Sequence, residues 1–264
     1  MPQPRVTDPN RSLLPEQIAP LPFIATEDLN DIFIFNKPGL TEYSAKGYVS
    51  HFSMASAKHE GFTLRDYFLQ AGLDKKYPPD EMICFGRLDK DTSGLLVLAK
   101  RNRHPKFIDQ VLLNPYFSQA GAKVTKVYRA QIKGLVDAER LNNIQKIEIP
   151  TKNEILVEVR VESVRVLSFS EPEKKSASSC VEIEINEGIH HQVKKMFYAL
   201  GHPVRKGGLH RTRFGELTLA ADSGGVFREM SAGEIRPLFD AEKKWLVDLY
   251  NDWLTREKQS LKPA

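Results

Sequence analysis

The chain has 264 residues, 41% of them apolar, and a formal net charge of +4, so it can bury a core and is not disordered or fibrous in composition. Its two cysteines, Cys84 and Cys180, lie far apart with no histidine ladder beside them, which excludes a disulfide framework and a zinc-type cluster. No apolar run approaches the ~18 residues of a membrane span and Met1 to Arg5 do not begin a signal peptide, so a soluble, cytoplasmic chain with no membrane partner is expected.

Residues 1–25 carry Pro2, Pro4, Pro9, Pro15, Pro20 and Pro22 with little periodicity and read as an extended arm. Ile32 to Phe35, ended by Lys37-Pro38-Gly39, predicts a buried strand feeding a turn. Phe62 to Leu73 predicts a helix, because Leu64, Tyr67, Phe68 and Ala71 fall at helical spacing. Leu95 to Ala99 and Lys126 to Lys133 predict two more strands. Val157, Val159 and Val161 alternate with charged residues, and the slip of phase at Ser163 predicts a bulge or bend there. After a polar loop at 172–179, Val181, Ile183 and Ile185 mark another two-faced strand. Ile189 to Leu200 predicts a helix whose stripe is Val193, Met196, Phe197 and Leu200, closed by Gly201. A charged amphipathic helix covers 241–257. Strands dominate and no repeat is present, which points to an α+β chain with a mixed, mostly antiparallel sheet.

Charge is unevenly placed along the chain. Between Thr92 and Val136 stand eight basic residues, among them Lys100, Lys126, Arg129 and Lys133, against the single acid Asp109. Between Glu187 and Arg213 stand six, Lys194, Lys195, Arg205, Lys206, Arg211 and Arg213, against one acid and together with four of the seven histidines. Two such stretches fit a localised phosphate-binding surface, as they would a solvated basic face.

The densest cluster of polar and small residues is Gly86-Arg87-Leu88-Asp89-Lys90-Asp91-Thr92-Ser93-Gly94, set directly before the buried run Leu95 to Leu98. Taken alone, Arg87 and Asp89 read more readily as a structural ion pair than as catalytic groups. The segment as a whole resembles the central motif of the RNA pseudouridine synthases. Asn36-Lys37-Pro38, Lys126-Val127-Tyr128-Arg129-Ala130 and Glu187-Gly188 through Gln192-Val193-Lys194-Lys195-Met196-Phe197 are similar, in the same order, to three further motifs of that family. The last of these, followed by Leu209, Arg211 and Gly215, and the ending Gly233-Glu234-Ile235-Arg236-Pro237-Leu238 are spelled as in the RsuA type. The S4 RNA-binding domain common in that type has no counterpart in the unpatterned residues 1–25 that lie ahead of the Lys-Pro motif, a layout similar to the RluE type, which modifies large-subunit ribosomal RNA.

The resemblance implies the family's fold, a bifurcated sheet flanked by helices around a central RNA-binding cleft. It divides the chain into an arm at 1–25, a catalytic domain of two subdomains at 26–240 and a terminal helix and tail at 241–264. It implies isomerisation of uridine to pseudouridine in ribosomal RNA or a pre-ribosomal particle, by a monomer and without metal or cofactor, since the reaction is redox-neutral and adds no atom. By the same resemblance Asp89 is the catalytic carboxylate, acting as nucleophile at C1′ or as base at C2′. Lys194 is the cation that keeps it charged, and Tyr128 is the ring that stacks on the extruded base. Arg87 helps displace the nucleotide, and Lys37, Lys126, Arg129, His191, Gln192, Lys195 and Arg211 contact RNA.

Asp91 reads as a residue that hydrogen-bonds the loop, and His190 and His191, adjacent on a helix, should face different ways. Two other readings stand beside the first. One is an RNA-binding assembly factor that keeps the fold without the chemistry; the other is a carboxylate hydrolase acting on a sugar bond. Small-subunit ribosomal RNA and tRNA are alternative substrates of the isomerase.

Overall fold

A computed structural model describes residues 26–39, 63–100, 124–151, 153–170, 177–219 and 229–260. The expected arm at 1–25 and the basic residues between 101 and 123 lie outside the described residues.

The elements run β1 (Ile32–Lys37), α1 (Leu64–Gln70), β2 (Met82–Phe85), β3 (Ser93–Lys100), β4 (Lys126–Lys133), α2 (Ala138–Asn142), β5 (Lys146–Pro150), β6 (Leu156–Arg160), β7 (Ser163–Ser170), β8 (Ser178–Ile185), α3 (Gln192–Ala199), β9 (Val204–Phe214), β10 (Leu217–Thr218), β11 (Ile235–Pro237) and α4 (Asp240–Ser260). Nine strands form one sheet with the path β11-β1-β3-β9-β4-β8-β7, β2 pairing with β3 and β10 with β9. Every pairing is antiparallel except β3 with β9, which meet in parallel through Ser93 opposite His210 and Gly94 opposite Arg211. β5 and β6 form a separate two-stranded sheet.

β3 explains why the molecule has two cores. Its residues from Leu95 to Ala99 are wholly buried, and successive side chains of a strand point to opposite faces. Leu96 and Leu98 enter one cluster with Phe35, Phe68, Tyr128 and Met196, whereas Leu95, Val97 and Ala99 enter the other with Ile32, Ile34, Phe214 and Leu238. The continuous apolar spelling of Leu95 to Ala99 follows from burial on both faces. α4 closes the second cluster with Leu246 and Tyr250. Its anchor is Glu242, which accepts from both Arg236 terminal nitrogens at 2.7 Å and from the Thr218 and Phe239 amides.

The bulge or bend expected at Ser163 is a bend that separates two strands. β6 pairs with β5, the chain turns at Val161–Glu162, and β7 pairs with β8 in the main sheet. The change of phase therefore marks a change of partner. The bulge of this region falls later, between Val166 and Ser168. The helix expected from Ile189 starts only at Gln192, because His191 has the left-handed conformation with φ 59°. Among the described residues no helix is long and apolar enough to cross a membrane.

Candidate active site

The loop between β2 and β3 carries Arg87, Asp89 and Asp91, and the buried side chain of Lys37 holds it in shape. From the end of β1 the Lys37 ammonium donates to the carbonyls of Thr92 at 2.7 Å, Lys90 at 3.1 Å and Asp89 at 3.4 Å. Lys37 is 0% exposed, so its expected place among the RNA contacts is corrected: a side chain sealed beneath the loop cannot reach a phosphate. Burial, partly offset by the charges of Asp91 and Asp89, brings its pKa down from 10.5 to about 7. Unfolded chain therefore binds this proton where folded chain has released it, and stability rises with pH between about 7 and 10.5. Lys37→Met should flatten most of that rise in urea denaturation measured at both ends of the window; an unchanged slope would place the titration elsewhere.

Arg211 supports the same loop from β9. Its Nε and one terminal nitrogen donate to Leu95 O at 2.9 and 2.6 Å, and that nitrogen also donates to Gly86 O at 2.6 Å. At 1% exposure its guanidinium is committed to the backbone, which corrects the expectation of an RNA contact here.

Asp89 emerges from this platform into a cavity of about 420 Å³, lined also by Arg87, Lys126, Tyr128, Glu187, His191 and Phe214. Such a volume lies within the range of small-molecule sites, roughly 300 to 1,000 Å³. The Asp89 carboxylate is 26% exposed. Lys194, on the first turn of α3, places its ammonium 3.2 Å from Asp89 Oδ2 and 2.6 Å from Asp91 Oδ1. One cation thus serves two carboxylates, and the shorter bond goes to Asp91. Burial of Asp91 would raise its pKa, but the Lys194 hydrogen bond and charge outweigh it and hold the carboxyl below its ordinary value.

His191 Nε2 stands 3.5 Å from Asp89 Oδ1. Burial lowers the pKa of this imidazole despite the nearby Asp89, which favours its neutral form. The rings of His190 and His191 do not diverge as expected; they stack with centroids 3.7 Å apart, because both precede the helix.

Tyr128 and Lys126 project from the same face of β4, two residues apart, and both line the cavity. Arg129 lies on the opposite face by the same alternation, outside the cavity, paired with Glu229 at 3.1 Å and Glu182 at 3.8 Å. Gln192 lines the cavity but is buried, accepting from the Ile189 amide at 3.0 Å and donating to Glu187, so it shapes the turn before α3. Lys195 donates to Pro150 O at 2.6 Å and ties α3 to the small sheet. Phe214, absent from the expected set, packs within 5.1 Å of the Arg211 guanidinium carbon and 5.7 Å of the Lys126 ammonium, measured to its ring centre. Its signal lay in β9, a strand whose glycines and basic residues hide any alternation.

The arrangement offers a carboxylate beside a cation, an aromatic ring on the facing strand and a second cation across the cavity. The family model for RNA pseudouridylate synthase matches residues 31–199, more than half of the chain. The chain is 30% identical over 170 residues to an uncharacterized RNA pseudouridine synthase of Aquifex aeolicus, covering 62% of this chain and 57% of that one. It is 29% identical over 167 residues to ribosomal large subunit pseudouridine synthase B of Bacillus subtilis, covering 61% and 58%. It is 30% identical over 156 residues to ribosomal small subunit pseudouridine synthase A of Vibrio cholerae, covering 58% of each. The match thus spans less than two thirds of the length of these curated relatives. A solved pseudouridylate synthase shares the fold, with a TM-score of 0.51 at 22% identity over 81% of this chain and 72% of that one.

Proposed function

The chain belongs to the RNA pseudouridylate synthase family, and on that premise we propose that it isomerises a specific uridine to pseudouridine in ribosomal RNA, the large subunit being favoured. The observation that carries the reading is the Asp89 carboxylate, set 3.2 Å from Lys194 on the wall of a cavity that Tyr128 also lines.

Isomerisation breaks the N1–C1′ bond, turns the base, joins C5 to C1′ and transfers the C5 proton away. Asp89 acts on the sugar, either by bonding to C1′ or by taking the C2′ proton. Tyr128 stacks on the extruded base, which offsets part of the few kcal/mol that extrusion costs. Arg87, exposed at the cavity mouth, takes the displaced phosphate in its guanidinium fork. Relatives whose names specify the large and the small subunit match this chain about equally, at 29% and 30% identity, and the large-subunit match extends over more residues, 167 against 156.

Carbodiimide mapping of total ribosomal RNA from cells with and without the gene tests the proposal. One or more pseudouridines should disappear on deletion and return with the intact gene. Identical maps would remove ribosomal RNA as substrate, and a tRNA map run alongside would show whether the activity lies there.

A further inference from the structure

We propose that the Lys126 ammonium holds the uracil ring as an anion during the interval when it is detached from the sugar. This inference rests on the isomerase reading above. When the N1–C1′ bond breaks, its electron pair stays with the base, and the negative charge spreads over N1, O2 and O4. C1′ is meanwhile satisfied by Asp89 or through loss of the C2′ proton to it. The ring must then turn without leaving, so that C5 can bond to C1′ as Asp89 departs from that carbon or returns the proton to C2′; the C5 proton then passes to water and N1 takes one up. A fixed cation that follows the charge through this turn stabilises the step most where the charge is greatest.

Lys126 has the required placement. It shares the cavity-facing side of β4 with Tyr128, so a base stacked on the tyrosine lies beside the ammonium. One ammonium donor goes to Glu187 O at 2.9 Å, and among the described residues no carboxylate forms an ion pair with Lys126. An ammonium has three donors, which leaves capacity for an acceptor in the cavity. The other charged groups facing it are committed elsewhere: Glu187 accepts from Gln192, and Arg211 donates to Leu95 and Gly86. Gly188 makes the space, since a Cβ there would lie 3.3 Å from the Lys126 nitrogen. The cavity thus holds both a carboxylate, Asp89, and an ammonium, Lys126; in the proposed step the first acts on the sugar and the second on the base. Burial and the neighbouring Arg211, opposed by Glu187, already bring Lys126 down to about 8, so an arriving anion recovers charge stabilisation that the empty cavity withholds.

The test is single-turnover release of tritium from ribosomal RNA labelled at uridine C5, with RNA affinity measured separately by filter binding. Lys126→Met keeps an unbranched apolar stem of similar length and loses one hydrogen bond, to Glu187 O, along with a partly desolvated charge, so its thermal midpoint should change little. At saturating RNA its rate should fall by about 10²-fold, the size of loss seen when one donor to a developing anion is removed. RNA affinity should hardly change. Lys126→Arg should restore much of the rate, and it should lack the decline expected of wild type at subsaturating RNA as pH rises through about 8. Weakened binding with an unchanged saturating rate would make Lys126 a phosphate contact and overturn the proposal, as would no change in either. Wild-type protein that releases no tritium from any ribosomal RNA would instead overturn the isomerase reading on that substrate, and this inference with it.

Discussion

Asp89→Asn is expected to remove pseudouridine formation, with a loss on the order of 10⁴-fold or more, as when an enzyme loses its reacting side chain. The amide has the size and shape of the carboxylate but can neither bond to C1′ nor take the C2′ proton. The loop should survive the change, because Lys37 and Arg211 grip its backbone carbonyls and make no bond to the Asp89 carboxylate. Lys194 also keeps its shorter bond, to Asp91 at 2.6 Å. The variant should therefore fold, melt as wild type does and bind RNA with wild-type affinity. Asp91→Asn is the matched control: Asp91 does not line the cavity, so its loss should slow the reaction far less. If Asp89→Asn kept about a tenth of the wild-type rate, the chemistry would belong to another group.

Gly94→Ala should give the largest loss of stability. Gly94 has φ 108°, where L side chains are strained, and a Cβ there would lie 2.2 Å from Arg211 O and 2.6 Å from Arg211 N. Both obstacles are backbone atoms in the parallel pairing of β3 with β9, so neither can turn aside as a side chain would. The strands must separate, and Arg211 moves away from the carbonyls of Leu95 and Gly86. We expect a cost of at least about 4 kcal/mol, a size reserved for such mechanisms. That is a large part of the 5 to 15 kcal/mol typical of folded proteins, and it should lower the melting temperature by roughly 8 to 16 °C. Scanning calorimetry measures it directly. A melting temperature within about 2 °C of wild type would mean that the two strands are not held as closely as they stand here.

Much of the candidate site's arrangement was legible because its residues stand in clear local settings. The loop with Asp89, the strand with Tyr128 and the helix with Lys194 each combine a candidate residue with a clear periodic or apolar setting, and the fold brings Asp89 and Tyr128 onto one cavity with Lys194 against Asp89. What could not be read is which side of an element is wet. Lys37 and Arg211 are as basic as Lys126, yet both are buried under the loop, and only the third dimension separates a lysine that supports carbonyls from one that meets a ligand. Arg129 follows Tyr128 by one residue and faces the other way. β9 escaped notice because the run Arg205-Lys206-Gly207-Gly208 lacks the apolar alternation of a strand, although it belongs to the centre of the sheet. The change of sheet at Ser163 left a trace in the pattern, but a trace that a bulge would leave equally well.

The sheet closes between distant parts of the chain. β1 lies between β3 and β11, and the Asn36 side chain donates to Met230 O, 194 positions away. On a ribosome this opposes the order of synthesis to the order of completion. β1 to β3 emerge first, but their second core lacks Leu238, Leu246 and Tyr250 until the last stretch is made. β4 and β8 need only the intervening segment to pair, so the wall bearing Tyr128 and Lys126 can form early. The loop bearing Asp89 gains its Arg211 clamp only once β9 has emerged, so in the nascent protein the wall bearing Tyr128 and Lys126 precedes the clamp that fixes the loop facing it.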